Sequence, residues 1–154
     1  MSNSTQFNHA AAIFSDLIPV RFAETDLMGV VHHSAYIVWF EMGRIAWMAA
    51  AGVPYTEISA TGHHFAVTGI QASYRTSATF GDSVVVATML DTLRSRKVSF
   101  QYEIYHAEQK GLLVSGSSEH ICVDLAGQMS RIPQPLLARL KQGAEAITLQ
   151  NKME

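Results

Sequence analysis

Asp26 lies in the segment Arg21-Phe22-Ala23-Glu24-Thr25-Asp26-Leu27-Met28-Gly29-Val30-Val31-His32-His33-Ser34-Ala35-Tyr36, a Gly-containing loop that runs straight into a long apolar stretch. A carboxylate held opposite the start of a helix can do acyl-transfer chemistry. It can attack an electrophilic carbonyl or deprotonate a water that does so. The unpaired N–H groups and positive dipole end of the helix then steady the developing oxyanion. An isolated Asp in this place is ordinarily a cap or turn residue; this one gains weight from the residues after it in the chain. The side chain of His33 can orient water or substrate, or simply pack. Glu41 is a second carboxylate, spaced from Arg44 so that an ion pair across one helical turn is possible. Arg94-Ser95-Arg96-Lys97 sets three positive charges in a turn, and Arg131 can add a fourth. Arg forks match phosphate oxygens, although a solvated hairpin turn is the plainer reading. Seven histidines invite a metal reading. However, His32-His33 and His63-His64 are adjacent pairs rather than one-face helical spacings, and Cys122 offers one thiolate, so no zinc signature results. There is no phosphate-cradling Gly loop and no Gly-x-Ser-x-Gly elbow.

These residues need elements to hold them. From His33 or Ser34, the latter a possible N-cap, a helix should run to about Ala51, stopped by Gly52 and Pro54. Val38, Trp39, Phe40, Met42, Ile45, Ala46, Trp47, Met48 and Ala49 cover nearly every face of it, so other structure must wrap it. Most of the remainder reads as strands. Ile18 to Phe22 is a short first one. Val98, Phe100, Tyr102 and Ile104 alternate with polar neighbours, the mark of a half-buried strand. Ser83 to Leu90, Leu112 to Val123 and Phe65 to Tyr74 supply three more. Asp124 to Gln128 is a turn, and Pro133 opens a short helix through about Lys141. A run of strands beside one helix indicates an α+β domain with an antiparallel sheet. Residues 1–16 form a partly ordered N-terminal segment, 17–141 the domain and 142–154 a tail.

Composition bounds the partners. Lys plus Arg number 11 against 13 Asp plus Glu, a formal net charge of −2, which argues against nucleic-acid binding as the main task. Hydrophobic residues are 48% of the 154, enough for a core in one domain. Cys122 is the only cysteine, so no intrachain disulfide can form, which fits the cytoplasm. The first basic residue is Arg21, so no signal-peptide start is evident. The apolar region from Ala35 to Val53 is broken by Glu41, Gly43 and Arg44, so no integral membrane segment is expected.

The run from Asp26 to Tyr36, followed by Trp39-Phe40-Glu41, resembles the hot-dog-fold acyl-CoA thioesterases. It is nearest the 4-hydroxybenzoyl-CoA thioesterase family, with His33 similar to the Tol-Pal-associated branch. Tyr74-Arg75 through Phe80-Gly81-Asp82 and Val123-Asp124 through Gly127 to Arg131-Ile132-Pro133 support the likeness, which spans roughly residues 17–141. It implies a five-stranded antiparallel sheet wrapped around one long central helix, in a homodimer with a continuous sheet, often assembled as a homotetramer. It implies hydrolysis of an acyl-CoA to free acid and coenzyme A without metal or redox cofactor. Asp26 would be nucleophile or general base, and the backbone N–H of His33 the oxyanion donor. Arg94, Arg96, Lys97 and Arg131 would hold the coenzyme A phosphates. Tyr36, Trp39 and Phe65 are candidates for the acyl pocket and suit a plain core equally well. An acyl-carrier-protein substrate, a non-catalytic acyl-CoA-binding module and a hydratase are the alternatives.

Overall fold

In a computed structural model describing residues 6–154, the long apolar stretch forms α1, His33–Ala50. Its start and end fall within a residue of expectation, but its N-cap is His32 rather than Ser34. The Nδ1 of His32 accepts the Ser34 N–H at 3.2 Å. The sheet curls around this helix through six strands: β1 (Ile13–Phe14), β2 (Ile18–Pro19), β3 (His63–Tyr74), β4 (Ser83–Leu93), β5 (Lys97–His106) and β6 (Leu112–Asp124). All pairings are antiparallel, in the order β1-β4-β5-β6-β3, with β2 also on β4.

The count of six against the expected five has a local cause. β1 and β2 both pair with β4, at Thr88–Ala87 and Val84–Ser83, and so make one interrupted edge. Between them Ser15 keeps the ladder by donating its N–H to Val86 O and accepting the Val86 N–H on its Oγ. The expected strand through Phe22 stops at Pro19, and Phe22–Glu24 turns as a short 3₁₀ segment.

Trp39, Phe40 and Trp47 of α1 are buried against Val86, Phe100, Tyr102 and Ile104. Helix and sheet approach closely at Gly43, where a Cβ would meet Val86 Cγ1 at 2.6 Å and also Thr88 Oγ1. A side chain there would force the helix off β4. The wrapping is not complete. Val38, Met42 and Ile45 remain 40–50% exposed along one stripe of α1, beside Leu17 at 63%. β3 is a twelve-residue edge strand, with Val67, Ile70 and Tyr74 each 44–49% exposed.

After the short α2 (Tyr55–Ala60), the last element is α3, Gln134–Met153. The helix expected to end near Lys141 thus continues, and residues 142–154 are mostly helix rather than tail. Leu136, Leu140, Gly143 and Ile147 form a buried stripe that passes Lys141 without a break. Farther on, Asn151 Nδ2 donates to Ala10 O and Ala12 O, each at 2.9 Å. The N-terminal segment it grips includes a 3₁₀ turn at His9–Ala11; residues 1–5 lie outside the described residues. None of the described helices is long and apolar enough to cross a membrane.

Candidate active site

The chain between β2 and α1 folds into a tight hairpin. Thr25 bridges Val31, Asp26 N–H donates to Val30 O at 2.9 Å, and Gly29 N–H donates to Asp26 O at 3.0 Å. Gly29 sits at φ 78°, a conformation glycine adopts without strain. The hairpin docks on the segment before β4: Val31 N–H donates to Ala78 O and Val30 bridges Thr79. Asp26 Oδ1 accepts the Met28 N–H at 2.8 Å, which turns the carboxyl back over the loop. Its other oxygen has no partner among the described residues. The N–H of His33, first in α1, likewise has no acceptor there.

Asp26 and His33 line one cleft of about 360 Å³, together with Val31, Tyr36, Tyr74, Arg75, Thr76 and Ser77. Asp26, half-exposed, and His33, the first residue of α1, thus line the same cleft. Tyr36 accepts the Ala78 N–H on its hydroxyl at 3.0 Å, and burial pushes its phenol above the ordinary value, so it stays protonated at neutral pH. Tyr74, at the end of β3, donates its hydroxyl to His33 O at 3.0 Å and so ties the sheet edge to the helix start.

The remaining sequence-selected residues fall elsewhere. Trp39 is 1% exposed and donates its Nε1–H to Glu24 Oε2 at 3.1 Å, beneath the cleft rather than in its lining. Phe65 is buried near the start of β3, opposite Cys122, at the other end of that strand from Tyr74. Glu41 and Arg44 do not pair; Arg44 Nη1 lies 3.4 Å from His120 Nε2. His63 and His64 open β3, with His64 Nδ1 3.2 Å from the Tyr55 hydroxyl.

Arg94, Arg96 and Lys97 are exposed at the β4–β5 turn, and Arg131 comes beside them because Ile132 N–H donates to Ser95 O at 2.8 Å. That cluster is at the far end of β4 from the cleft. Ser83 comes directly after the Thr79–Asp82 turn on which the hairpin docks, and the strand from Ser83 to Leu93 spans about 33 Å at its usual rise. Sequence reasoning passes over Glu24 and Tyr74 as site residues. Tyr74 stands within a motif that carries the resemblance and Glu24 just before one, but only the fold shows that their side chains reach α1.

Residues 20–140 match the Thioesterase-like superfamily. A Bacillus subtilis protein described as a putative acyl-CoA thioesterase, YneP, is 37% identical over 107 residues, covering 70% of this chain and 77% of that one. The crystal structure of hypothetical protein TT1821 from Thermus thermophilus superposes with a TM-score of 0.78 at 38% identity, over 83% of this chain and 96% of that chain. A DHNA-CoA thioesterase from Staphylococcus aureus gives 0.80 at 26% identity, over 93% and 95%. The match runs through the Asp26 hairpin, the central helix and all four long strands, and it makes this chain a member of the thioesterase-like superfamily with the hot-dog fold.

Proposed function

We propose that this protein hydrolyses acyl-CoA thioesters, with Asp26 as the reacting carboxylate and the His33 N–H as oxyanion donor. The observation that carries the reading is that both residues line one cleft of a superfamily member. Relatives described as acyl-CoA thioesterases support the substrate class. Two routes fit the geometry. In one, an Asp26 oxygen bonds to the thioester carbon, the C–S bond breaks, and the thiolate leaves to take a proton from water. A second water then opens the mixed anhydride. In the other, Asp26 removes a proton from water, the hydroxide adds to the carbonyl, and the proton passes to the departing sulfur. The His33 N–H and the dipole of α1 stabilise the oxyanion in both. Every acid, base and donor in these steps belongs to the chain or to water, so the proposal needs no metal or redox cofactor.

The working unit we propose is a homodimer in which two β3 edges pair antiparallel about a two-fold axis. A long, apolar, unpaired edge strand is an association surface. That pairing sets the start of one β3 beside the end of the other. Since Lys97 pairs with Ile121, which in turn pairs with Ala66, the partner's basic turn would come to the end at which Asp26 lies. Its cations would there hold the nucleotide phosphates. The exposed stripe of α1 offers a second contact for a homotetramer. We place the protein in the cytoplasm, where coenzyme A esters are at hand.

The test is thiol release from a panel of acyl-CoAs with wild type and Asp26→Asn. Asn keeps an oxygen for the Met28 N–H, so the hairpin is preserved while the charge is lost. A fall in kcat of about 10²–10⁴ is expected, with binding retained. Equal rates would overturn the assignment of Asp26, and binding without turnover in wild type would make the protein a binding module. Matched acyl-carrier substrates decide the carrier.

A further inference from the structure

We propose that Glu24 is a positioning residue that fixes the distance between the reacting carboxylate and the start of α1. The inference rests on the proposed role of Asp26. Glu24 carries a carboxyl whose side chain is only 8% exposed, and it is surrounded by donors from three places. Its Oε1 accepts the Arg21 N–H at 2.8 Å. Its Oε2 accepts the Trp39 Nε1–H at 3.1 Å and lies 3.4 Å from Arg21 Nη2, whose side chain is 74% in solvent. Its own carbonyl accepts the His32 N–H at 2.7 Å.

One residue therefore joins the chain leaving β2, a position nearly two turns into α1, and the residue just before that helix. The Asp26 hairpin hangs from this joint. Thr25, the next residue, forms one stem and bridges Val31 in the other. Asp26 is two residues from Glu24, and His33 is one residue from the N–H that Glu24 holds. Movement of Glu24 would shift the carboxyl relative to the His33 N–H, and misplacement by about 1 Å is enough to cost about 10²-fold in rate. A buried carboxylate is poor evidence for stability, since apolar replacements are often as stable. Here the carboxyl joins Arg21 to Trp39 of α1 and the carbonyl holds His32, so one residue braces both the entry to the Asp26 hairpin and the helix that follows it, which is what a supporting shell must do.

The variants are Glu24→Gln, Trp39→Phe and the pair together, assayed as the intact protein for kcat and KM and monitored by circular dichroism melts. Gln can accept through one atom only, so either the Arg21 N–H or the indole N–H is left facing an amide N–H. We expect kcat to fall at least about tenfold with KM within about twofold, in protein that remains folded at the assay temperature. Trp39→Phe keeps a ring in the core and removes the conflicting donor. The double variant should therefore be no slower than Glu24→Gln alone, a non-additivity that independent destabilisations do not produce. Wild-type kcat in folded Glu24→Gln overturns the proposal, as does loss of activity that merely tracks loss of folded protein, or losses that multiply in the double variant. Asp26→Asn run alongside separates the two ideas. If it is active, the site reading fails; if it is inactive while Glu24→Gln is normal, only the positioning role fails.

Discussion

His120 ties the stability of this fold to pH in a way that can be measured. It is 1% exposed on the inner face of β6. Its Nε2 lies 2.7 Å from Ser118 Oγ and 3.4 Å from Arg44 Nη1, while Nδ1 has no partner among the described residues. A guanidinium can only donate, so Nε2 must accept and Nδ1 carries the hydrogen. A second proton would have to sit on Nε2, against the guanidinium. Burial first, and the charge of Arg44 second, push the pKa of this imidazole down to about 4 from 6.5. Between those values the unfolded chain binds a proton that the folded chain refuses. Stability is therefore highest above about pH 6.5, falls as pH drops, and has lost the full contribution near pH 4. A gap of about 2.5 pH units at about 1.36 kcal/mol each is worth about 3 kcal/mol. Urea unfolding of wild type and His120→Gln, at one protein concentration, isolates it. Gln offers an oxygen to Ser118 and Arg44 but does not titrate, and the other ionisable groups cancel in the comparison. From about pH 7 to about pH 5 the wild type should lose about 2 kcal/mol more than the variant. Arg44→Met should narrow the window without closing it, because burial is the larger cause. Parallel stability curves for wild type and His120→Gln would refute the reasoning.

Two further perturbations probe the site. Tyr74→Phe removes the bond to His33 O at the exposed end of β3; it should lower kcat/KM about two- to fivefold, the worth of one neutral hydrogen bond, with the melting temperature nearly unchanged, and an unaltered kcat/KM would show that the tether does not position the helix start. Neutralising Arg94, Arg96 and Lys97 together should raise KM for acyl-CoA about tenfold at low salt, less at high salt, with kcat nearly constant, and co-refolding with Asp26→Asn should restore activity in mixed dimers only if the turn serves the partner's cleft.

The range of the forces involved decides which features are legible in the sequence. α1 is legible to within a residue because its limits are local: apolar residues on every turn, then Gly52 and Pro54. β5 is legible because buried Val98, Phe100, Tyr102 and Ile104 alternate with the more polar Ser99, Gln101 and Glu103. The far half of α3 is not, since Lys141, Gln142 and Gly143 read as an ending. Gly143 is instead a close packing point against Ala51. The hairpin around Asp26 is recognisable from its motif, but its function-bearing geometry depends on pairs remote in sequence. The Trp39–Glu24 bond spans fifteen residues and the Tyr74–His33 bond forty-one. Trp39 suggests itself for the acyl pocket because it is aromatic and close to Asp26 in the chain. Its ring packs edge-on against Tyr36 on the same side of α1 but lies deeper, where its N–H meets Glu24. Tyr36, three residues earlier, faces the cleft.

The protomer leaves two surfaces without an obvious use alone, and one symmetry operation addresses both. β3 offers a row of unpaired backbone groups flanked by Val67, Ile70 and Tyr74. The basic turn offers anion-binding side chains about a strand's length from any reacting group of its own chain. Pairing two β3 edges in parallel would stack like ends and leave each basic turn as far from a cleft as before. Antiparallel pairing about a two-fold satisfies the edge and carries each basic turn to the other chain's cleft. Phe65 would travel with it, since it lies at that same end of β3. Its failure to reach Asp26 within one chain is then the same fact as the failure of Arg94, Arg96 and Lys97 to do so. A site divided in this way makes substrate binding depend on assembly while leaving Asp26, His33 and Glu24 within one chain. Dilution below the dimer dissociation constant should therefore raise KM before the Asp26 hairpin itself is disturbed.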